Sequence, residues 1–279
     1  MKAYKLQNII FPSTDNCTEE SLYFRRYGDV EYSLADNYIV LNEEATVSFD
    51  TYFNGFSASK WYKYTQIEQV KVCLKLKGKF RISLWYKEKQ PTQILNRVVK
   101  EFYCDTKGKI KEIFCEFETE YSQGMYAFSI LAMEDETEFH GGYFYTEIVE
   151  SKIQDIKMSI VICTFKREKY VYKNMKMLSK CFLENRESEL HRNLEVIISD
   201  NAKTLDYQKF TNDKIHIFAN KNVGGAGGFT RGMIETLKLS KVNNFTHVLL
   251  MDDDVVMQPE SIYRTYKLLS LLKEQYQDA

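Results

Sequence analysis

The stretch HVLLMDDDVVMQPESI, residues 247–262, places three adjacent aspartates directly after a continuous apolar run. An unbroken run of large apolar residues is typical of a strand that is buried on both faces, as in a parallel sheet. Pro259 suits the first turn of a helix, because proline lacks the N–H that this position leaves unpaired. The stretch therefore predicts a buried strand, an acidic loop and a helix.

Three more apolar runs precede this stretch, and helical patterns separate them. We predict strands at 159–163, 194–198, 215–218 and 245–251, and helices near 168–183, 226–239 and 259–272. Strands that alternate with helices predict an α/β layer with a mostly parallel sheet. We assign this domain to residues 154–279.

The first half of the chain has a different periodicity. Apolar residues alternate with polar ones at 70–76 and 80–86, and Gly78 between them predicts a hairpin with one face buried. The alternation returns at 126–130 and 142–145. Short strands without a long helix predict an all-β, antiparallel β-sandwich of jelly-roll type over residues 1–153.

The bulk composition limits the classes of partner. The chain has 38 Lys and Arg against 39 Asp and Glu, so no global charge attracts nucleic acid. Its six cysteines lack zinc-site spacing, which favours free thiols in a reducing cytosol. No apolar run is long enough for a signal peptide or a membrane span. We expect a cytoplasmic protein; peripheral membrane contact and a homo-oligomer both remain compatible with the sequence.

The triple aspartate is the sharpest candidate for a metal site. Side chains at i and i+2 of an extended chain lie on the same side, so Asp252 and Asp254 can converge on one cation while Asp253 points elsewhere. Carboxylate oxygens suit Mg²⁺ or Mn²⁺. A solvated acidic turn before the next helix is the alternative, although three adjacent acids repel one another without a counter-ion.

The segment 222–229 contains four of the chain's 12 glycines. Glycine permits close approach of a ligand to the backbone, and the segment opens a helix whose free N–H groups favour phosphate. It matches neither GxGxxG nor the P-loop pattern, which weakens a dinucleotide or ATP reading. A flexible turn is the alternative.

Three further polar residues have both a functional and a structural interpretation. Asp200 could accept hydrogen bonds from a base or ribose, or serve only as a turn residue at a strand end. Arg167 and Arg231 could pair with phosphates, or lie solvated on the surface. His216 and His247 lie within apolar strands and are expected to be satisfied core histidines without a functional role.

Several stretches resemble the family-2 inverting glycosyltransferases of the GT-A fold, and more narrowly the bacterial galactofuranosyltransferases that build cell-wall galactan. The matching stretches are VICTFKR (161–167), VIISDNA (196–202), NKNVGGAGGFTRGM (220–233), HVLLMDDDVVMQPESI (247–262), TYFNGFSASKWYKYT (51–65) and GGYFYTE (141–147). The glycine-rich stretch and 51–65 are the most specific. The resemblance implies that residues 154–279 are the nucleotide-binding half of a Rossmann-like GT-A domain.

The resemblance also implies a ligand set. The donor would be UDP-galactofuranose, and Asp252 and Asp254 would hold a Mn²⁺ or Mg²⁺ ion. The acceptor would be a growing glycan, often lipid-linked at the cytoplasmic face of the membrane. The residues expected to contact the nucleotide sugar are Thr164, Phe165, Arg167, Asp200, Asn222, Gly224, Gly225, Arg231, Asp252 and Asp253.

The chain departs from this family at its end. The family's catalytic aspartate base, a metal-binding histidine and the acceptor site lie well beyond the metal motif, whereas this chain stops at Ala279. An inverting transfer needs a base to take the acceptor's hydroxyl proton. We therefore expect a donor-binding fragment whose base lies beyond residue 279 and which transfers sugar poorly or not at all.

Two other functions remain open. The N-terminal sandwich could be a non-enzymatic carbohydrate-binding or assembly module that uses Trp61, Trp85 and nearby tyrosines, although most such aromatics simply pack in a core. The chain could also belong to a rhamnosyl- or other hexosyltransferase of the same fold.

Overall fold

The computed structural model describes residues 1–210 and 212–277, and the chain divides into two compact units. The first unit comprises residues 1–154 together with 267–277, and the second comprises Asp155–Tyr266. Residues 267–277 thus group with the first unit, which the sequence pattern does not indicate. The domain boundary between residues 153 and 154 stays a prediction.

The first unit is built almost entirely of β-strands, with one short helix, α1 (Ala58–Tyr64), inside the 51–65 stretch. The strands are β1 (Lys2–Asn8), β2 (Arg25–Tyr27), β3 (Val30–Ser33), β4 (Tyr38–Leu41), β5 (Thr46–Ser48), β6 (Lys71–Lys77), β7 (Lys79–Lys89), β8 (Ile94–Asp105), β9 (Lys111–Glu116), β10 (Met125–Ala132) and β11 (Thr137–Ile148).

These strands form two antiparallel sheets. A six-stranded sheet has the order β3-β4-β11-β6-β9, with β1 also paired to β11, and a five-stranded sheet has the order β2-β5-β10-β7-β8. Phe128 on β10 and Phe144 on β11 bring rings from the two sheets to a centroid distance of 6.2 Å. Burying each such side chain stabilises the fold by about 1.5–3 kcal/mol, so this shared aromatic core holds the two sheets together.

The predicted hairpin of 70–76 and 80–86 is wrong. β6 pairs with β11 and β9, whereas β7 pairs with β10 and β8, so the two strands lie in different sheets. Gly78 between them has φ = +110°, and a Cβ at this position would lie 2.6 Å from Cγ2 of Thr137. Gly78 therefore turns the chain from one sheet into the other, where each strand finds two neighbours.

The second unit contains a four-stranded parallel sheet, which confirms the predicted parallel pairing. Its strands are β12 (Met158–Thr164), β13 (Leu194–Asp200), β14 (Ile215–Ala219) and β15 (His247–Asp252), in the order β14-β13-β12-β15. β12 and β13 are buried along nearly their whole length, as their apolar runs predict. The same prediction is wrong for β15, where Val248 and Leu250 are 41% and 49% exposed, so that strand is not buried on both faces.

Helices connect these strands. They are α2 (Glu168–Leu178), which continues as a π-helical turn at Ser179–Leu183, then α3 (Leu190–Asn193), α4 (Gly224–Asn243) and α5 (Pro259–Leu269). α4 begins at Gly224, two residues before the predicted start at Ala226 and within the glycine-rich segment, as predicted. In the part of the chain that the structure describes, no helix combines the length and apolar character needed to cross a membrane.

Candidate functional site

The order of strands places a crevice between β12 and β15. β13 and β14 lie on one side of β12, while β15 lies on the other. In an open parallel sheet, the strand order reverses where the connections from two adjacent strands run in opposite directions. At that point a crevice is expected beyond the carboxyl ends of the two strands. Thr164 ends β12 and Asp252 ends β15, so the triple aspartate begins at this point of the sheet.

The three aspartates differ in exposure. Asp252 and Asp254 are exposed, whereas Asp253 is only 8% exposed. The Thr164 hydroxyl donates a 2.7 Å hydrogen bond to Oδ2 of Asp253, and the Asn174 amide of α2 donates a 2.9 Å bond to the Asp253 carbonyl. These two bonds fix the middle aspartate in the protein and leave the carboxylates on either side of it accessible.

Arg167 supplies the positive charge at the same edge. Its guanidinium forms an ion pair with Oδ2 of Asp254 and lies 3.8 Å from Oδ1 of Asp253. Phe165, two residues earlier, is 44% exposed, and the ammonium of Lys166 lies 5.4 Å from the centre of its ring. The loop after β12 therefore presents an arginine and an accessible aromatic face beside the aspartates.

Asp200 is fully buried at the end of β13. Its Oδ1 accepts backbone N–H groups of Ala202 and Lys203 at 3.1 and 2.8 Å, and its Oδ2 accepts that of Leu205 at 3.0 Å. The carboxylate thus organises its own loop, which is the turn role that the sequence also allowed. A contact between Asp200 and a nucleotide stays a prediction.

The glycines of the segment 222–229 serve two purposes. A Cβ at Gly228 would lie 2.1 Å from Sγ of Cys163, and one at Gly232, a turn later, would lie 2.2 Å from Cγ1 of Val161. These glycines let α4 pack closely on β12. Gly224 and Gly225 are different, because both are exposed and a Cβ on either would meet open space.

The start of α4 is exposed, and the Asn222 side chain accepts a hydrogen bond from its first backbone N–H group. Gly224 has φ = +76°, and its N–H lies 3.3 Å from Oδ1 of Asn222. No side chain caps the helix at Val223. The first N–H groups of a helix favour an anion, so Asn222, Gly224 and Gly225 form an exposed N-terminus of the kind that binds phosphate.

Asn201 connects the ends of three elements, a role that the sequence pattern did not reveal. Its amide nitrogen lies 3.2 Å from the Gly224 carbonyl oxygen and 3.4 Å from Sγ of Cys163, while its Oδ1 accepts a 2.9 Å bond from Asn220. Burial, together with the charges of the neighbouring aspartates, raises the pKa of the Cys163 thiol. Asn201 is therefore a positioning residue; its place directly after Asp200 at a strand end was the available signal.

Arg231 is directed along its own helix. Its Nε lies 2.8 Å from Oε1 of Glu235, and Lys238 donates to the same carboxylate at 2.9 Å. The described contacts join Thr164, Arg167, Asp253 and Asp254 to one another, but do not join Arg231 to them. A phosphate contact of Arg231 stays a prediction. His216 pairs with Glu195 at 2.8 Å, as a satisfied histidine would, although it is half-exposed.

The carboxylates at this edge provide only part of a metal coordination sphere. Within residues 1–210 and 212–277, no group of three or more His, Cys, Asp or Glu side chains is arranged to hold a metal ion. Asp252 and Asp254 are hard oxygen donors with accessible carboxylates, which fits Mg²⁺ or Mn²⁺. A cation held by these two side chains would take its remaining ligands from a bound diphosphate and water.

Comparison with known proteins gives matches to both halves of the chain. The model of the galactofuranosyltransferase 2 N-terminal family matches residues 6–147, and that of glycosyl transferase family 2 matches residues 159–274. Galactofuranosyltransferase GlfT2 of Mycolicibacterium smegmatis is 25% identical over 232 residues, covering 80% of this chain and 34% of that protein. GlfT2 of Mycobacterium tuberculosis is 24% identical over 233 residues, covering 80% and 35%. The chain spans about a third of the length of these curated relatives.

The chain is also similar to solved structures of carbohydrate-binding modules. CBM29_1 from Piromyces equi is 13% identical, with a TM-score of 0.31 over 52% of this chain and 91% of that chain. A TM-score of 0.31 is too low to indicate a shared fold or function.

Proposed function

Because this chain belongs to the galactofuranosyltransferase 2 N-terminal family, we propose that it is the donor-binding part of a galactofuranosyltransferase that uses UDP-galactofuranose. The observation that carries the proposal is the edge of the parallel sheet at β12 and β15. There two accessible carboxylates, an arginine and an exposed aromatic ring follow β12 and β15. The exposed start of α4, a helix that follows β14 and packs on β12, belongs to the same sheet edge. This combination suits a nucleotide diphosphate better than any single motif does.

Asp252 and Asp254 hold the divalent cation, Mn²⁺ or Mg²⁺, in this proposal. Members of glycosyltransferase family 2 typically use such an ion. When bound, the cation neutralises negative charge on the departing UDP. Asp253 does not bind the ion in this proposal; it is held by Thr164 and Asn174, while its two neighbours are exposed.

Arg167 changes partner in the proposed site. Its guanidinium pairs with Asp254 and therefore competes with a cation for this carboxylate. A guanidinium that is not paired with Asp254 would be placed to make charge-assisted hydrogen bonds to a phosphate or base oxygen. In this proposal Arg167 has two alternative partners, the carboxylate of Asp254 and the donor.

The donor contacts follow from the positions of the strand ends. Phe165 offers its exposed face to the uracil ring, while Thr164 and Asp200 shape the uridine subsite. Asn222, Gly224 and Gly225 lie along the diphosphate, where backbone N–H groups at the start of α4 stabilise its charge. We assign the second unit to the nucleotide-binding half of a GT-A, Rossmann-like domain.

The chain spans about a third of the length of its curated relatives, so the complete reaction is a proposal for the whole protein. Transfer with inversion needs a base that takes a proton from the acceptor hydroxyl, and we place that base beyond residue 279. The glycan acceptor, its link to a lipid and a location at the cytoplasmic face of the membrane rest on the family resemblance alone. They form part of the same proposal.

Calorimetric titration of UDP-galactofuranose with Mn²⁺, and separately with EDTA, tests the donor site. We expect binding that weakens at least about tenfold without the metal, and equally in Asp252→Asn and Asp254→Asn. Asp213→Asn, which alters an exposed acid elsewhere in the same unit, is the matched control and keeps full affinity. Metal-independent binding, or equal binding by all three variants, contradicts the proposed site.

Competition among nucleotide sugars tests the choice of donor. UDP-galactofuranose is expected to displace a labelled UDP more effectively than UDP-glucose or dTDP-rhamnose. A preference for dTDP-rhamnose would instead support a rhamnosyltransferase of the same fold. Equal competition by all three would show that this chain does not distinguish between the sugars.

A further inference from the structure

The outward face of the five-stranded sheet carries a groove that the donor site does not use. It encloses about 210 Å³ and is lined by residues of β2, β5, β7, β8 and β10, together with Asp50 just after β5. The floor is made of small side chains: Ser48 of β5 and Ser129 of β10 lie directly opposite each other in the sheet. Larger side chains on both sides turn the flat sheet into a trough that could hold a sugar ring.

Two aromatic residues form the walls of this groove. The indole Nε1 of Trp85 donates a 2.8 Å hydrogen bond to Oγ of Ser129, which draws the ring over the neighbouring strand. Tyr27 stands at the other side and is 58% exposed. An aromatic face fixed beside a polar floor is the arrangement on which the C–H face of a sugar packs. Trp61, by contrast, is 5% exposed and stacks on Phe56 in the core.

The charged side chains at the groove are paired with one another. Asp50 accepts hydrogen bonds from Lys87, from Ser48 at 2.9 Å and from Arg25 at 2.5 Å. Burial favours protonation of this carboxyl, but these partners outweigh it and hold the pKa of Asp50 below its usual value. Because the charged groups of the lining, Asp50 and Lys87, are paired, the groove suits a neutral ligand with many hydroxyl groups.

Polar groups remain at the rim for such hydroxyls. Within the described residues, the side chains of Tyr27, Thr46 and Asn96 make no hydrogen bond to the protein. Together they offer a phenol, an alcohol and an amide, which can both donate and accept. A neutral sugar needs this mixture, because each of its hydroxyls is donor and acceptor at once.

We propose that this groove binds a neutral oligosaccharide, with Trp85 and Tyr27 against its rings and Thr46 and Asn96 bonded to its hydroxyls. The site is separate from the donor site and independent of the proposed transfer reaction. Its role would be to hold a glycan on the protein. The sequence made Trp61 an equal candidate for contact with a sugar, but its burial in the core excludes it from this site.

Tryptophan fluorescence of the full chain, supported by calorimetry, tests the groove. The probes are a galactofuranose tetrasaccharide and cellotetraose, titrated to about 10 mM, with UDP as a ligand of the other site. Trp61 is buried, so a change in emission reports on Trp85. We expect one or both tetrasaccharides to bind, and Tyr27→Ala and Asn96→Ala each to weaken binding about tenfold.

Matched variants separate the groove from other sites. Tyr103→Ala removes an equally exposed tyrosine from β8 of the same sheet, outside the groove, and is expected to bind as the parent does. Asp254→Asn is expected to keep oligosaccharide binding even where it loses UDP, so the two proposals fail independently. The groove assignment is overturned if neither tetrasaccharide binds, if both groove variants bind normally, or if Tyr103→Ala is impaired to the same degree.

Discussion

The Thr164 hydroxyl donates a 2.7 Å hydrogen bond to Oδ2 of Asp253, joining the carboxyl end of β12 to the loop after β15. Both residues are buried, so the bond forms out of contact with solvent. It holds the central residue of the acidic triplet and leaves Asp252 and Asp254 exposed at the crevice. One hydroxyl thereby determines how the other two carboxylates are presented.

Replacing Thr164 by valine preserves the shape of the side chain but removes the donor. The buried carboxylate of Asp253 loses a partner, which costs about 1–3 kcal/mol of unfolding free energy. We expect urea unfolding to show this loss, together with weaker Mn²⁺-dependent UDP binding. Thr230→Val, at an exposed position of α4, is the control and is expected to change stability by less than about 0.5 kcal/mol. Equal stability of the two variants would contradict the role of the bond.

The two kinds of glycine in the segment 222–229 respond differently to alanine. Gly228→Ala places a Cβ 2.1 Å from Sγ of Cys163, so α4 must move away from β12 at a cost of about 1–3 kcal/mol. Gly225→Ala enters open space and adds helix propensity, so stability is unchanged or rises. Thermal unfolding of both variants distinguishes them. A loss of stability in Gly225→Ala alone would contradict the distinction between the packed and the exposed glycine.

Arg167→Gln affects the cation and the nucleotide in opposite directions. Removing the guanidinium frees Asp254, and because this ion pair is exposed and worth at most about 1 kcal/mol, Mn²⁺ affinity without nucleotide rises by up to roughly fivefold. UDP affinity in the presence of Mn²⁺ falls about tenfold, because a charge-assisted bond is lost. Calorimetry measures both constants. A fall in both affinities would show that the arginine helps to hold the cation.

The side chain of Glu195 makes part of the protein's free energy of unfolding depend on pH. Burial alone would raise the pKa of Glu195, but hydrogen bonds from His216 and Lys157 outweigh burial and lower that pKa from its ordinary 4.5. A group whose pKa is lower in the folded state stabilises the fold at pH values above its unfolded-state pKa. This stabilisation is lost as the pH falls through the folded-state pKa. Glu195→Gln should therefore cost about 1–3 kcal/mol at neutral pH, and progressively less below about 4.5.

Urea unfolding at neutral pH and in acid tests this dependence. Glu184→Gln, at an exposed position of the same unit, should track the parent at every pH. A difference between the parent and Glu195→Gln that stays constant into acid would contradict the lowered pKa.

The sequence by itself determined the local structure of the second unit. Apolar runs and glycine or proline signals located its four parallel strands and the main helices, because these patterns depend on neighbouring residues. They did not show that β15 keeps one face exposed, at Val248 and Leu250. The position of the acidic triplet at a strand end followed from the same reasoning. The family resemblance also followed from short stretches, since motifs survive when most positions differ.

Only the tertiary structure decided which segments meet. A period-two pattern shows which face of a strand is buried but not which strand pairs with it, so β6 and β7, joined at Gly78, went to different sheets. Burial separated Trp61 in the core from Trp85 in the groove, and packing on β12 separated Gly228 from Gly225. These outcomes depend on contacts between residues far apart in the chain, which local sequence does not encode.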